Sequence, residues 1–444
     1  MLIKTVQLLL SLSILVLIHE FGHFIAARMF KTRVEKFYLF FDFLFPIPTL
    51  LNFAIFKKKI GDTEYGLGWF PLGGYVKIAG MADESMDDSY LNSEPKPDEY
   101  RSKKNWQKLI IMLGGIIMNV LLGWLIYSQL LFWMGETYLP ASEAKYGISC
   151  DSVAMYGGFR DGDIILSHSG DKKFDNFNSI ATEILLNDVT SVNVLRDGAP
   201  HTVNIPADFI DVAVASRAKK FMDYQIPCIV GEMSKETVIK GKLKEGDRII
   251  ALNDSTVTIF QDAPKYLVNL KGKEVAIKFI RANDTLVEKV VVPATGLLGF
   301  RPSEKSLNFV HTEYNLFHSF THGATVAYKR IVVYLKQFKL IFRNGAYKQL
   351  GGVGTMGSLF PPQWDWVAFW QLTAFISLML AIMNLLPIPM LDGGYVILLL
   401  AEMITGRKIS DKVLDYINRV GFFILIGLMI YANGMDIVRH FLGK

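Results

Sequence analysis

Apolar residues in this chain are gathered into blocks. Four stretches, roughly Thr5–Ala27, Leu109–Met134, Trp366–Leu386 and Val420–Phe441, carry few charges. Each is long enough for a membrane-crossing helix, which takes about 20 mostly apolar residues. Between them the periodicity changes. Within 60–81, Tyr65, Leu67 and Trp69 alternate with glycines, Pro71 and Gly73–Gly74 interrupt, and Tyr75, Val76 and Ile78 resume. That pattern predicts a β-hairpin, and Pro46, Pro48 and Pro71 oppose a helix there. The stretch 82–100 is acidic and Ser- and Pro-rich, and reads as a loop. Farther on, FRDGDIILSHSG around Asp161 recurs as LKEGDRIIALND around Glu245, an offset of 84 residues. Each copy is followed by a helix-like stretch and two alternating runs with a tight turn, ending at Pro206 and Pro293. The repeat predicts two small α+β domains, roughly 145–208 and 224–295. Over 314–343 apolar residues fall at helical spacing between Lys329, Arg330, Lys336, Lys339 and Arg343, which predicts an amphipathic helix on a bilayer surface.

The expected division is therefore a first transmembrane helix at 1–27, a membrane-associated β region and loop at 28–108, and a second helix at 109–134. Two small domains follow at 135–223 and 224–300, then a linker and surface helix at 301–365. A third transmembrane helix occupies 366–405, and a loop with the fourth fills 406–444. The fold class is a polytopic α-helical membrane protein with two tandem α+β domains and a membrane-associated β-hairpin.

Charge sets the expected orientation. Arg28, Lys31, Arg33 and Lys36 follow the first span, Arg101, Lys103, Lys104 and Lys108 precede the second, and Arg407, Lys408, Lys412 and Arg419 separate the third from the fourth. Short basic loops stay in the cytoplasm, so both termini and the long 135–365 segment are expected outside. The net charge of +5 and its distribution give no nucleic-acid footprint, and the Lys57–Lys59 run suits solvent or lipid headgroups. The first apolar run has a weakly basic start and no clear small-x-small cleavage site, so it is expected to remain as a helix. Cys150 and Cys228 are the only cysteines. Two cysteines make no disulfide framework, and the expectation is one unpaired thiol per small domain.

Inside the first span lies His19-Glu20-Phe21-Gly22-His23, a HExxH motif. On a helix the two imidazoles lie four residues apart on one face and can share a Zn²⁺, with Glu20 beside the metal as general base. Ionisable groups at such depth are costly and tend to be functional. Zinc needs a third protein ligand and an open position for water. Asp392, in Asn384-Leu-Leu-Pro-Ile-Pro-Met-Leu-Asp392-Gly393-Gly394, is the candidate. Pro387 and Pro389 are expected to break the third helix and bring this carboxylate level with the histidines. Glu35 and Glu64 are rival third ligands; Glu35 lies among basic residues expected to pair with it, and Glu64 precedes the hairpin. His318 and His322 repeat the i, i+4 spacing without an adjacent Glu, and read as part of the surface helix.

The repeated x-x-G-D-x-I-x-x-x-x-G unit resembles PDZ domains, although neither copy shows a clear Gly-Leu-Gly-Phe carboxylate-binding loop. Together, HEFGHFIAAR at 19–28, FPLGGYVK at 70–77, Gly114 to Asn119, the paired repeat and NLLPIPMLDGG at 384–394 resemble the site-2 protease family of intramembrane zinc metalloproteases, in particular the bacterial regulator of sigma-E protease type. The resemblance covers nearly the whole chain. It implies four core transmembrane helices in a bacterial inner membrane, one Zn²⁺ per chain, and cleavage of single-pass membrane proteins in regulated intramembrane proteolysis. Pre-trimmed anti-sigma factors and remnant signal peptides are the implied substrates. His19, His23 and Asp392 resemble the zinc ligands, Glu20 the catalytic acid/base, and Asn384 an asparagine that holds the unwound substrate. The β element containing Gly66, Gly68, Gly73 and Gly74 resembles one that pairs with extended substrate, and the PDZ pair resembles a size filter on the periplasmic side. The active site is implied near the cytoplasmic side. An inactive relative serving as a membrane scaffold or chaperone is the alternative; keeping His19, Glu20, His23 and Asp392 together speaks against it.

Overall fold

The computed structural model describes residues 2–44, 51–81, 94–216, 220–341 and 351–442. Pro46, Pro48, Arg343 and most of the acidic loop lie outside them. The chain forms two units, one of residues 1–135 with 313–341 and 347–444, the other of 136–312 with 342–346.

The first unit opens with α1 (Leu2–Met29), an apolar helix without proline, which ends where Lys31 takes a left-handed conformation with φ 54°. Four strands follow: β1 (Val34–Phe41), β2 (Ala54–Ile60), β3 (Thr63–Gly68) and β4 (Phe70–Ile78), in the spatial order β2-β3-β1-β4. The expected hairpin over 60–81 is corrected here. β3 and β4 are consecutive in sequence but do not pair with each other. β1 lies between them, parallel to β3 (Tyr38 opposite Gly66) and antiparallel to β4 (Tyr38 opposite Tyr75). The true hairpin is β2–β3, closing through Gly61 at φ 61°. Aromatic side chains drive the arrangement: Tyr38 and Tyr75 stack with ring centroids 5.4 Å apart, and Phe41 and Phe43 complete a buried cluster. Then comes α2 (Asn105–Met134), in which Gly114 meets Gly22 of α1 backbone to backbone.

The second unit holds both copies of the repeat. The first contains β5 (Glu136–Tyr138), β6 (Ile148–Cys150), α3 (Ser152–Tyr156), β7 (Ile164–His168), α4 (Ile180–Leu186), β8 (Ser191–Arg196), β9 (Ala199–Asn204), α5 (Phe209–Ser216) and β10 (Met222–Tyr224). The second contains β11 (Val230–Met233), β12 (Arg248–Leu252), β13 (Ser255–Thr256), α6 (Asp262–Leu267), β14 (Glu274–Arg281), β15 (Asp284–Val291) and β16 (Phe300–Pro302). β17 (Val310–Thr312) pairs back onto β5. Each copy has its own apolar core. The Gly-Asp motif has the same role in both. Asp163 is fully buried and binds Arg196 at 2.7 Å while accepting from the Arg160 amide; Asp247 binds Arg281 at 2.6 Å while accepting from the Lys244 amide. A buried carboxylate is tolerable only when paired and hydrogen-bonded in this way. Both cysteines are free thiols, one in each copy.

The chain then returns to the first unit with α7 (Leu316–Ile341), α8 (Val353–Ser358), α9 (Trp366–Leu385), α10 (Asp392–Thr405) and α11 (Asp411–Leu442). α7 is the expected amphipathic helix, but its apolar face meets protein. Trp124 of α2 donates to the Phe320 carbonyl at 2.9 Å, Gly323 packs on Ser128, and Tyr334 meets Phe375 of α9. The third span is divided into two helices at Pro387 and Pro389, where a break was expected. Pro387 has no amide to continue α9, and the chain turns through Met390 at φ 74° before α10 begins at Asp392. Gly393 and Gly394 allow the turn, because a Cβ on either would collide with the backbone of residues 385–389. Among the described residues four helices are long and apolar enough to cross a membrane: Leu2–Met29, Asn105–Met134, Trp366–Leu385 and the Tyr416–Arg439 part of α11.

Candidate metal centre and active site

α1 and α2 run antiparallel, with His23 beside Ile111 and His19 beside Asn119. Gly114 and Gly115, whose side chains are single hydrogen atoms, leave room for this approach. A Cβ on Gly115 would lie 2.5 Å from both His19 Cε1 and His23 Nε2. Asp392, the first residue of α10, reaches the same point. The three potential ligand atoms form a nearly equilateral triangle: His19 Nε2 to His23 Nε2 is 3.2 Å, His19 Nε2 to Asp392 Oδ2 is 3.3 Å, and His23 Nε2 to Asp392 Oδ2 is 3.4 Å. Tetrahedral zinc with bonds of about 2.0–2.1 Å needs ligand atoms about 3.3–3.4 Å apart, so the triangle has the size such an ion requires. Asp392 Oδ2 is buried and has no hydrogen-bond donor, as a carboxylate reserved for a cation would be. His23 Nδ1 lies 2.8 Å from the Ile111 carbonyl. A carbonyl only accepts, so Nδ1 carries the proton and Nε2 keeps its lone pair toward the cluster.

Around the triangle lies a cavity lined by Glu20, Val76, Ile78, Met81, Met112, Met390 and Tyr395 as well as the three residues themselves. About 50 Å³ of it can hold a water centre, and one water needs about 10–15 Å³. Asn384 Nδ2 is 3.3 Å from His19 Nε2, so its amide borders the cluster. The glycines of the β element divide. Gly66 and Gly68 sit on β3, an inner strand paired on both sides, where they make room for Tyr38 and for the Phe41 backbone. Gly73 and Gly74 sit on β4, the edge strand whose Val76 and Ile78 line the cavity.

The rival ligands lie elsewhere. Glu35 binds Arg33 at 2.9 Å and Lys77 at 3.7 Å, and Glu64 accepts from the Tyr38 hydroxyl at 2.7 Å. His318 is turned to Asn315, and His322 stacks on Tyr314. Among the described residues His19, His23 and Asp392 are the one group of three or more with metal-ligating geometry. Sequence reasoning missed what α2 contributes. Ile111, Gly115 and Asn119 recur every four residues on its histidine-facing side, and Gly115 with Asn119 was a visible small-and-polar pair in a mostly apolar span.

A larger, apolar groove of about 630 Å³ lies in the second repeat copy, between β16 and α6. Met233, Phe260, Leu267, Leu298 and Phe300 line it. The run Leu297-Leu298-Gly299-Phe300 borders it, an apolar-Gly-apolar loop that has Leu where a strict Gly-Leu-Gly-Phe motif has its first Gly.

Apolar helices long enough to cross a bilayer, together with a buried His-His-Asp triangle beside a glutamate, are the constitution of a membrane metalloprotease. The profile of peptidase family M50, the site-2 protease family, matches residues 7–428, and the chain belongs to this family. It is 27% identical to a protein of Neisseria meningitidis named as a candidate zinc metalloprotease, over 97% of each chain. Proteins of the same description from Thermotoga maritima and Vibrio cholerae are 25% identical over 98% of this chain and 99% of theirs, and 26% identical over 98% of each. The enzyme is a metalloprotease and its metal is zinc.

Proposed function

We propose that this protein cleaves transmembrane segments of single-pass membrane proteins, with His19, His23 and Asp392 holding one zinc ion and Glu20 as acid and base. The observation that carries the reading is the triangle of 3.2, 3.3 and 3.4 Å edges with its donorless buried carboxylate oxygen. Zinc held by these three residues would supply Lewis acidity toward a water and a peptide carbonyl. Glu20, in the same cavity, takes the proton of the attacking water and returns it to the leaving amine, which needs a carboxylate within reach of both. Asn384 holds the substrate backbone beside the cluster. A helical substrate has its amides locked in internal bonds and must unwind to be cut. The free edge of β4, with Gly73 and Gly74, offers those amides replacement partners by strand addition. Gly66 and Gly68 serve the packing of the sheet instead.

The family resemblance supports pre-trimmed anti-sigma factors and remnant signal peptides as substrates, cut in regulated proteolysis at a bacterial inner membrane. The basic residues flanking the spans support periplasmic termini and a periplasmic second unit. The two repeat copies are read as PDZ-like domains, supported by their shared Asp–Arg core and by the groove beside Leu297–Phe300. Such a groove takes an extended peptide end.

The test is cleavage of a model transmembrane peptide by purified wild type and Glu20→Gln, with zinc content measured on both. The reading expects turnover to fall about 10²–10⁴-fold while zinc stays bound. Retained cleavage by the variant would favour the scaffold alternative and remove Glu20 from the chemistry.

A further inference from the structure

His19 and His23 are held differently, and the difference isolates one residue. His23 has its tautomer set by a backbone carbonyl, that of Ile111. The second nitrogen of His19, Nδ1, faces a side chain, Asn119 of α2, whose Nδ2 lies 3.1 Å away. Asn119 is fully buried, and its Oδ1 has no hydrogen-bond partner. In that orientation the amide donates, so His19 Nδ1 must be the acceptor and the ring proton must sit on Nε2. A proton on Nε2 makes no hydrogen bond to Asp392 Oδ2, which lies 3.3 Å away without a partner, and it faces the Asn384 amide nitrogen, also at 3.3 Å. It leaves no lone pair for a metal ion, since the neutral ring has one donor and one acceptor nitrogen. A half-turn of the amide about its last side-chain bond exchanges Oδ1 and Nδ2 with almost no change in shape. Either orientation offers His19 one hydrogen bond, so hydrogen-bond count alone does not choose; the metal does.

We propose that Asn119 is a positioning residue for the zinc site, its Oδ1 accepting the His19 Nδ1 proton when zinc is bound and so holding the Nε2 lone pair toward the ion. This rests on the ligand set proposed above. The partner on a metal-bound histidine fixes ring orientation and raises ligand basicity, and losing it costs about 10–100-fold in metal affinity. The backbone carbonyl of Asn119 accepts from Ser377 of α9 at 2.7 Å, which ties this turn of α2 to the third span.

The experiment measures the zinc dissociation constant of the full-length purified protein by competition with a chelator, for wild type, Asn119→Leu, Asn119→Asp and Asp392→Asn. Asn119→Leu keeps the volume and removes the acceptor; affinity is expected to fall 10–100-fold. Asn119→Asp keeps an acceptor and is expected to bind within a few-fold of wild type. Equal weakening by Leu and Asp would mean that Asn119 acts by packing, and wild-type affinity in Asn119→Leu would overturn the proposal outright. If Asp392→Asn leaves zinc binding unchanged, the ligand set itself is wrong, an outcome distinct from both. Should Asn119→Leu not fold, nitrogen NMR of histidine-labelled, zinc-loaded wild type decides: His19 Nδ1 must carry a proton, and a metal-bound Nδ1 refutes the assignment.

Discussion

Replacing Gly115 by alanine tests whether the α2 surface shapes the metal site. The added Cβ would lie 2.5 Å from His19 Cε1, 2.5 Å from His23 Nε2 and 2.7 Å from His19 Nδ1. Comfortable contact between such atoms is about 3.5–4.0 Å, so both rings would have to retreat by about 1 Å. Zinc sites tolerate errors of only about 0.2 Å in ligand distance. Two ligands displaced together should cost at least 100-fold in zinc affinity, or about 2.8 kcal/mol. The cost to folding is smaller and partly offset. Alanine gains about 0.8–1 kcal/mol over glycine within a helix, against roughly 1–3 kcal/mol for overpacking. Metal-free Gly115→Ala should therefore unfold within a few degrees of metal-free wild type, while its zinc dissociation constant rises at least 100-fold. Chelator competition and thermal unfolding, each on stripped protein, give the two numbers. Zinc bound with wild-type affinity would show that the rings do not lean on Gly115, and the antiparallel register of α1 on α2 would have to be wrong.

Other expectations follow from the same contacts. Asn384→Ala should keep its zinc and lose about 10-fold or more in kcat/KM, as expected when a positioning contact to substrate is removed; unchanged kinetics would exclude that contact. Asp247→Asn should loosen the second repeat copy by roughly 3 kcal/mol, the low end for a broken buried ion pair since Arg281 is partly exposed, read as lost hydrogen-exchange protection in β12 and β14. Burial pushes the Asp247 carboxyl up, but hydrogen bonds from Arg281 and the Lys244 amide outweigh it and hold it below the ordinary value of 3.8. Its stabilisation is then complete above that value and drains away as pH falls through the lower folded one. Asp247→Asn should lose this acid sensitivity, and a variant as acid-labile as wild type would assign it elsewhere. Burial pushes both the Cys150 and Cys228 thiols up to about 12. With thiolate on the order of 1 in 10⁵ at neutral pH, neither should react with a maleimide until the protein unfolds, and fast labelling of the native protein would contradict so low a thiolate fraction.

The parts of this molecule legible in its sequence are those written in local pattern. The HExxH spacing needs only a helix to become a metal-facing pair, and the Pro387-Ile-Pro389 run needs only the missing proline amide to end α9. The Gly-Asp repeat was visible as a pattern, but its meaning was not. That Asp163 and Asp247 each find an arginine more than thirty residues away depends on how a strand folds back, which no spacing rule encodes. The β element shows the same limit. Alternating residues over 60–81 gave two strands but neither their bounds nor their neighbours, because β4 runs from Phe70 through Pro71 and Gly73–Gly74 to Ile78 and β1 enters between β3 and β4 from outside the window. Its claim to that place comes from Tyr38, which stacks on Tyr75 and fills the space left by Gly66. The distant acid of the cluster was legible because helix breakers surround it; the α2 residues were not, because a glycine in an apolar helix has many ordinary explanations.

That second helix explains how a site assembled from opposite ends of the chain can be accurate. His19 and His23 are one turn apart on α1, and Ile111, Gly115 and Asn119 are one turn apart on α2. Because the helices are antiparallel, the two series meet in opposite order: the Ile111 carbonyl at His23, Gly115 between the rings, the Asn119 amide at His19. The close Gly22–Gly114 contact sets the separation, and any side chain there would push the helices apart. Ring positions are therefore fixed by two helices before Asp392 arrives, and the short turn through Met390 has only to deliver one carboxylate to a prepared point. In such a design, mutations on α2 should disturb zinc binding nearly as strongly as mutations of the ligands, although no α2 side chain touches the metal.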